Sequence, residues 1–182
     1  MGDTTSCRLA ISGVLHTPAE VERLRAVLLE ACGPIEHPLF TSTDLTAGAH
    51  PWEAFAFEQV RDGEMPDEVH DVLQQLALDY AWCWDRGDFF DAGVEIGSWA
   101  PNFRARETTV DGGLFVPLED IGKADRIAEL QAFDARWETI VQNDVVYAPS
   151  AHALLAHFAN GAEALARWQE HKEIWSDDEE DA

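Results

Sequence analysis

Cysteine, lysine, long apolar runs and recognisable catalytic motifs are what this 182-residue chain lacks. Its three cysteines, Cys7, Cys32 and Cys83, are odd in number and include no C-x-x-C pair. That excludes a disulfide framework and a zinc knuckle, and reduced thiols of a cytoplasmic protein are the expectation. No apolar run approaches the ~20 residues that cross a bilayer. The N-terminal stretch has neither the basic n-region nor the apolar h-region of a secretory signal. Met1-Gly2-Asp3-Thr4-Thr5-Ser6 fits the loose myristoylation pattern. No basic patch follows it, and the chain's charge opposes anionic lipid, so no membrane partner is expected. Lysine occurs only at Lys123 and Lys172, and no basic stripe exists to track phosphates. Direct nucleic-acid binding is thereby excluded.

Catalytic signatures are equally scarce. The chain has no G-x-G-x-x-G, P-loop, G-x-S-x-G or H-E-x-x-H pattern. Asp88, Asp91 and Glu95 lack the order of an EF-hand loop. His152 and His157 stand five apart, the wrong spacing for two ligands on one helical face. His16, His37 and His50 have no nucleophile or orienting acid at a recognisable spacing. No catalytic residue, cofactor or metal site is assigned from the sequence.

Acid is what the chain has. Thirty-five Asp and Glu face twelve Lys and Arg, a formal charge of -23 with a pI of about 4.3. A small soluble domain needs a net charge of only about 2–8 in magnitude, and the excess repels itself. The chain is no disordered acidic protein, because 46% of it is apolar and seven Trp supply packing material.

Periodicity predicts an α+β fold. Arg8 to Leu15 is a strand. Thr17-Pro18-Ala19-Glu20 forms a capping box for a helix that Gly33-Pro34 stops near residue 32. Residues 37–50 read as a connection of which part could pair, and the segment around Trp52 to Gln59 as a strand with aromatics on one face. A helix from Met65-Pro66 carries Val69, Val72, Leu73, Leu76 and Tyr80 as its apolar stripe. From Tyr80 the period becomes two. Tyr80, Trp82 and Trp84 share a face, the Asp85-Arg86-Gly87-Asp88 turn relies on a positive-φ glycine, and Phe90 to Ile96 returns as the second strand of a hairpin. Strands at Phe103 to Val110 and Leu114 to Leu118 follow. Helices are expected at 127–141, 151–159 and 162–175. The arrangement is a single domain over 1–176 with a mixed or antiparallel sheet, in the manner of a ferredoxin-like split βαβ unit. Its sheet-containing part is 1–118 and its helical extension 119–176. Residues 177–182 read as a disordered acidic tail.

The placement of the acids carries the functional expectation. Between Glu53 and Glu95, twelve acids face only Arg61 and Arg86. Glu64, Asp67, Glu68 and Asp71 fall at i, i+3, i+4 and i+7, one stripe of the second helix. Asp85, Asp91 and Glu95 are expected on the hairpin face opposite Trp82 and Trp84, beside Asp88. Four carboxylates over seven helical residues occupy about 10.5 Å, or about one charge per 2.6 Å. Duplex DNA carries about one per 1.7 Å, and each strand one per 3.4 Å. The expectation is an inhibitor that mimics nucleic acid and occupies the basic groove of a nuclease, restriction enzyme or CRISPR effector. An immunity protein against a basic toxin would use the same chemistry. The size, charge and lack of motifs are similar to those of small acidic inhibitors carried by phages and plasmids. Two alternatives stand beside it: acidity that serves only solvation in a high-salt cytoplasm, and a small acidic enzyme or binding domain. A charged helical stripe is most often just a solvated face.

Overall fold

β1 (Thr4–Leu15) alternates apolar and polar side chains along most of its length, and it is the axis of the sheet. Cys7, Leu9 and Ile11 point to one face, where they are buried. A computed structural model describes residues 4–32, 48–50, 55–98, 103–111, 113–142 and 145–150. β1 is followed by α1 (Pro18–Cys32), β2 (Gly48–His50), β3 (Phe55–Arg61), α2 (Asp67–Gln75), β4 (Asp79–Trp84) and β5 (Gly93–Ser98). β6 (Phe103–Val110), β7 (Gly113–Leu114), a 3-10 turn (Leu118–Asp120), α3 (Ala124–Gln142) and β8 (Val145–Tyr147) complete the elements.

The fold is α+β with one eight-stranded sheet. β3 and β4 both pair antiparallel with β1, on its two sides. They are therefore parallel to each other with β1 between them, and α2 connects them: a split βαβ unit. β4, β5, β6 and β7 continue as an antiparallel meander. The pairing of β8 with the C-terminal end of β1 is parallel, so the sheet is mixed. The sheet-containing part thus does not end at residue 118. Three residues carry too little periodicity for β8 to be read from sequence.

Helices cover both faces of the sheet. Val21, Leu24 and Leu28 of α1, with Val69, Val72 and Leu73 of α2, pack on Leu9, Ile11, Phe55, Phe57, Tyr80 and Trp82. On the other face Phe133 and Ile140 of α3 meet Ala81, Val94 and Ile96. A sheet covered twice explains why every residue of β5 is buried.

Local chemistry fixes the element ends. The capping box forms as its sequence dictates: the Glu20 amide donates to Thr17 Oγ1 at 3.2 Å, and the Thr17 amide donates to Glu20 Oε2 at 3.1 Å. β3 ends in Asp62-Gly63, both in the left-handed region (φ 54 and 68), closed by the Glu64 amide on the Arg61 carbonyl. This is the Asp-Gly chemistry of a tight turn.

Several boundaries differ from expectation. The connection after β4 is not a tight turn. It runs through residues 85–92, and Gly87 is not among the positive-φ residues. Trp84 draws it together instead, its Nε1–H donating to the Asp91 carbonyl at 2.9 Å. Leu114 to Leu118 contributes only Leu114 to the two-residue β7, and Leu118 begins the 3-10 turn. Most of the 37–50 connection, Trp52, Trp99, the helices expected over 151–175 and the acidic tail lie outside the described residues.

Candidate functional site

The topology gathers the carboxylates at one end of the sheet. β3 and β4 run the same way and finish near the start of β1, with Arg61 opposite Thr4 and Trp84 opposite Cys7. Their ends are three β1 residues apart, about 10 Å along the strand. The Asp62-Gly63 turn packs on the tryptophans of β4. An ideal Cβ on Gly63 would stand 2.9 Å from Trp84 Cγ, and Trp82 Nε1–H donates to the Gly63 carbonyl at 2.8 Å. Asp85 is tied to β1 by its amide on the Ser6 carbonyl and by Thr5 Oγ1–H on its own carbonyl.

Asp62, Glu64, Asp67, Glu68, Asp85, Asp88 and Asp91 are all exposed at this end, and Asp71 is exposed one turn further along α2. The expected four-acid helical stripe is not formed: α2 begins only at Asp67, after Pro66, and Glu64 belongs to the turn that closes on Arg61. Opposing cations are few. Arg61 pairs with Asp62 at 3.4 Å and Arg8 with Asp85 at 3.6 Å, both in solvent. Such pairs contribute about 0–1 kcal/mol. Asp71 has His70 at 3.8 Å. Among the described residues, Glu64, Asp67, Glu68, Asp88 and Asp91 form no ion pair. The acids do not converge into a cage either: no three His, Cys, Asp or Glu side chains among the described residues can hold a metal ion. An open depression of about 420 Å³ lies here, lined by Phe57, Val60 and Met65, by Glu58, Glu64 and Asp67, and by Arg61.

Glu95 does not belong to this set. The sequence places it on a solvent face opposite Trp82, but the register puts it directly across from Trp82, on the same face. Only 2% of it is exposed. Alternation along β5 says which of its residues share a side. It does not say which side of β4 they meet, and the eight-residue connection decides that.

What surrounds Glu95 is a charged network that no sequence motif marks. Arg104 grips the carboxylate with two hydrogen bonds, Nε–H to Oε1 at 2.8 Å and Nη2–H to Oε2 at 3.0 Å. Arg106 Nη2–H donates to Oε2 at 3.1 Å, and Tyr80 O–H to Oε1 at 3.0 Å. Gly93 and Gly97 flank Glu95 because rings cross them. A Cβ at Gly93 would sit 2.2 Å from Trp84 Cζ2, and one at Gly97 would sit 2.2 Å from Tyr80 Cε1. Arg106 lies over the Trp84 ring, 4.8 Å from its centroid. Burial by itself would raise the Glu95 pKa. The hydrogen bonds from Arg104 and Tyr80 and the charges of Arg104 and Arg106 outweigh it and hold the carboxyl below its ordinary value. Tyr80 is pushed the other way, by burial first and then by the Glu95 charge. The available signals were a lone acid between Val94 and Ile96, and two arginines at i, i+2 in β6.

Cys7 and Cys83 are packing groups. Burial raises the Cys7 thiol to about 12 and Cys83 to about 11, so neither carries thiolate at neutral pH. No described helix is long and apolar enough to cross a membrane. No family model matches the chain, and comparison with curated proteins and with solved structures gives no match either.

Proposed function

We propose that this protein is an acidic inhibitor that presents a nucleic-acid-like surface to the basic groove of a nucleic-acid-processing enzyme, of the restriction or CRISPR-effector kind. The observation that carries the reading is the gathering of seven exposed carboxylates at one end of the sheet, five of the eight expected contact acids lacking an ion pair among the described residues. The helix dipole favours Asp67 and Glu68 where they stand, but solvation alone gives the other five no reason to collect where β3, β4 and the start of α2 meet. The cost of holding like charges close is recovered only when a cationic surface arrives.

The contact set is Glu64, Asp67, Glu68 and Asp71 with Asp85, Asp88 and Asp91. Glu95 is withdrawn from it, since its charge is spent inside the sheet. The depression beside Glu64 suits an Arg or Lys of the partner. The aliphatic stem of such a residue would lie on Met65 and Val60, and its head would reach Glu58, Glu64 and Asp67.

Cleavage assays with a panel of restriction and CRISPR effectors test the reading. Inhibition should be competitive with DNA and should weaken steeply as salt rises. The variant Glu64→Lys/Asp67→Lys/Glu68→Lys/Asp71→Lys should lose it while keeping its circular dichroism. Inhibition that survives this variant takes these four acids out of the mechanism, and no inhibition anywhere in the panel rejects the function.

A further inference from the structure

The outer edge of β6 is open over most of its length. In an antiparallel ladder, successive residues turn their N–H and C=O groups to opposite sides. The Thr109 amide donates to the Ala92 carbonyl at 2.9 Å, away from β7, and the Thr108 carbonyl accepts from the Phe115 amide at 2.9 Å, on the β7 side. The register with β5 is regular, so the alternation carries back along β6, and the backbone groups of Arg104 and Arg106 face outward with those of Thr108. β7 itself pairs only with Thr109 and Val110. Continued past Phe115, it would set Pro117 opposite Arg106, and proline has no N–H to donate. The chain leaves the edge there and enters the 3-10 turn at Leu118–Asp120. The outward N–H and C=O groups of Arg104 and Arg106 thus have no partner among the described residues.

An open edge is a template for another strand, and the side chains beside it select which one. Arg104 and Arg106 stand at i, i+2 on one face, about half exposed, and share the single carboxylate of Glu95. The same pair disfavours a second copy of β6. Antiparallel pairing of residues 103–107 with their copy turns about Ala105 and sets Arg104 opposite Arg106 twice, and like charges directly opposite destabilise a ladder. An extended segment with acids at i, i+2 fits instead. Asp177-Asp178-Glu179-Glu180-Asp181, outside the described residues, has that sequence. Asp177, Glu179 and Asp181 alternate with Asp178 and Glu180, so either side of an extended chain would offer carboxylates at the spacing of the two arginines.

The segment can reach the edge. β8 stands four strands from β6 in the sheet, about 19 Å at about 4.8 Å per strand. Residues 151–176 would cover about 39 Å even as one continuous helix. Tethering gives an effective concentration of millimolar order, which offsets the poor strand-forming tendency of Asp and Glu. We propose that residues 177–181 pair along the outer edge of β6, with their carboxylates on Arg104 and Arg106, and close an edge otherwise open to other chains. This goes beyond the inhibitor reading and uses none of its contact residues.

Backbone amide exchange of the full chain at low salt is the test. The Arg104 and Arg106 amides should exchange about tenfold more slowly in the wild type than in the full-length variant Asp177→Asn/Asp178→Asn/Glu179→Gln/Glu180→Gln/Asp181→Asn. The Ala105 and Glu107 amides, which face β5, should exchange alike in both. Salt at about 1 M should remove the wild-type protection, and dilution should leave it unchanged. Equal exchange at Arg104 and Arg106 in the two proteins, protection that survives the salt, or protection that fades on dilution and so comes from a second copy would each overturn the proposal.

Discussion

Glu95 shows how one side chain can reverse its apparent role. In sequence it is one acid among many. In the fold it is the anion that lets two arginines stand side by side on β6. Removing its charge while keeping its shape isolates that contribution. Glu95→Gln should cost about 2–3 kcal/mol at neutral pH, in the range of hydrogen bonds to charged groups, as read by urea unfolding. The pH dependence has a definite sign. Because the folded carboxyl's pKa lies below its unfolded value, its contribution is fully present above an unfolded pKa of about 4.3 and is lost as pH falls through the folded value. The stability gap between wild type and Glu95→Gln should therefore be constant from neutral pH down to about 5 and shrink below that. A gap independent of pH down to acid unfolding would contradict the network.

At the scale of elements, glycines and caps do work that apolar periodicity does not show. Gly93 and Gly97 bracket Glu95 in β5, and each lies beneath an aromatic ring of β4. In Gly97→Ala the methyl would displace the Tyr80 ring and draw its hydroxyl off Glu95. A cost of about 2 kcal/mol is expected, typical of overpacking, together with a change in near-ultraviolet circular dichroism. Unaltered stability would mean that the ring does not lie on Gly97. The α1 cap is simpler. Thr17→Ala removes the acceptor for the Glu20 amide and should cost about 1 kcal/mol in thermal or urea unfolding. α2 has no such side-chain cap; it begins after Pro66 with Asp67 and Glu68 in its first turn, where the helix dipole favours them. Those two acids are therefore tolerated locally, and the self-repulsion lies between them, the Asp62-Gly63 turn and the 85–92 connection.

Across the whole molecule, repulsion among exposed acids and attraction around Glu95 respond differently to salt. Going from about 0.01 M to about 1 M salt shortens the Debye length from about 30 Å to about 3 Å. The melting temperature should rise by about 5 °C as the surface repulsion is screened, if relief amounts to about 1–2 kcal/mol. The Glu95→Gln penalty should barely change over the same range, because buried pairs are screened much less. Inhibition of a nucleic-acid enzyme should move oppositely to stability, falling as salt rises. A melting temperature that drops with salt would show that attraction, not repulsion, governs this surface.

Much of this was legible in the chain. Thr17 to Glu20 announced a helix start by hydrogen-bonding chemistry confined to four residues. Val69, Val72 and Leu73 announced a buried face by spacing alone, and Phe55 and Phe57 did so at period two. Composition alone set the net charge. None of these needs a distant partner. The placement of Glu95 does, because a strand's two sides are equivalent until a register and a second covering layer are chosen. The sequence could not announce that β3 and β4 end together, that α3 covers the second face of the sheet, or that three residues at 145–147 join β1. Each of these depends on contacts between segments far apart in the chain. Local order follows from neighbours along the backbone, whereas the acid-rich end and the buried carboxylate exist only because the sheet's pairing brings remote residues within a few ångströms.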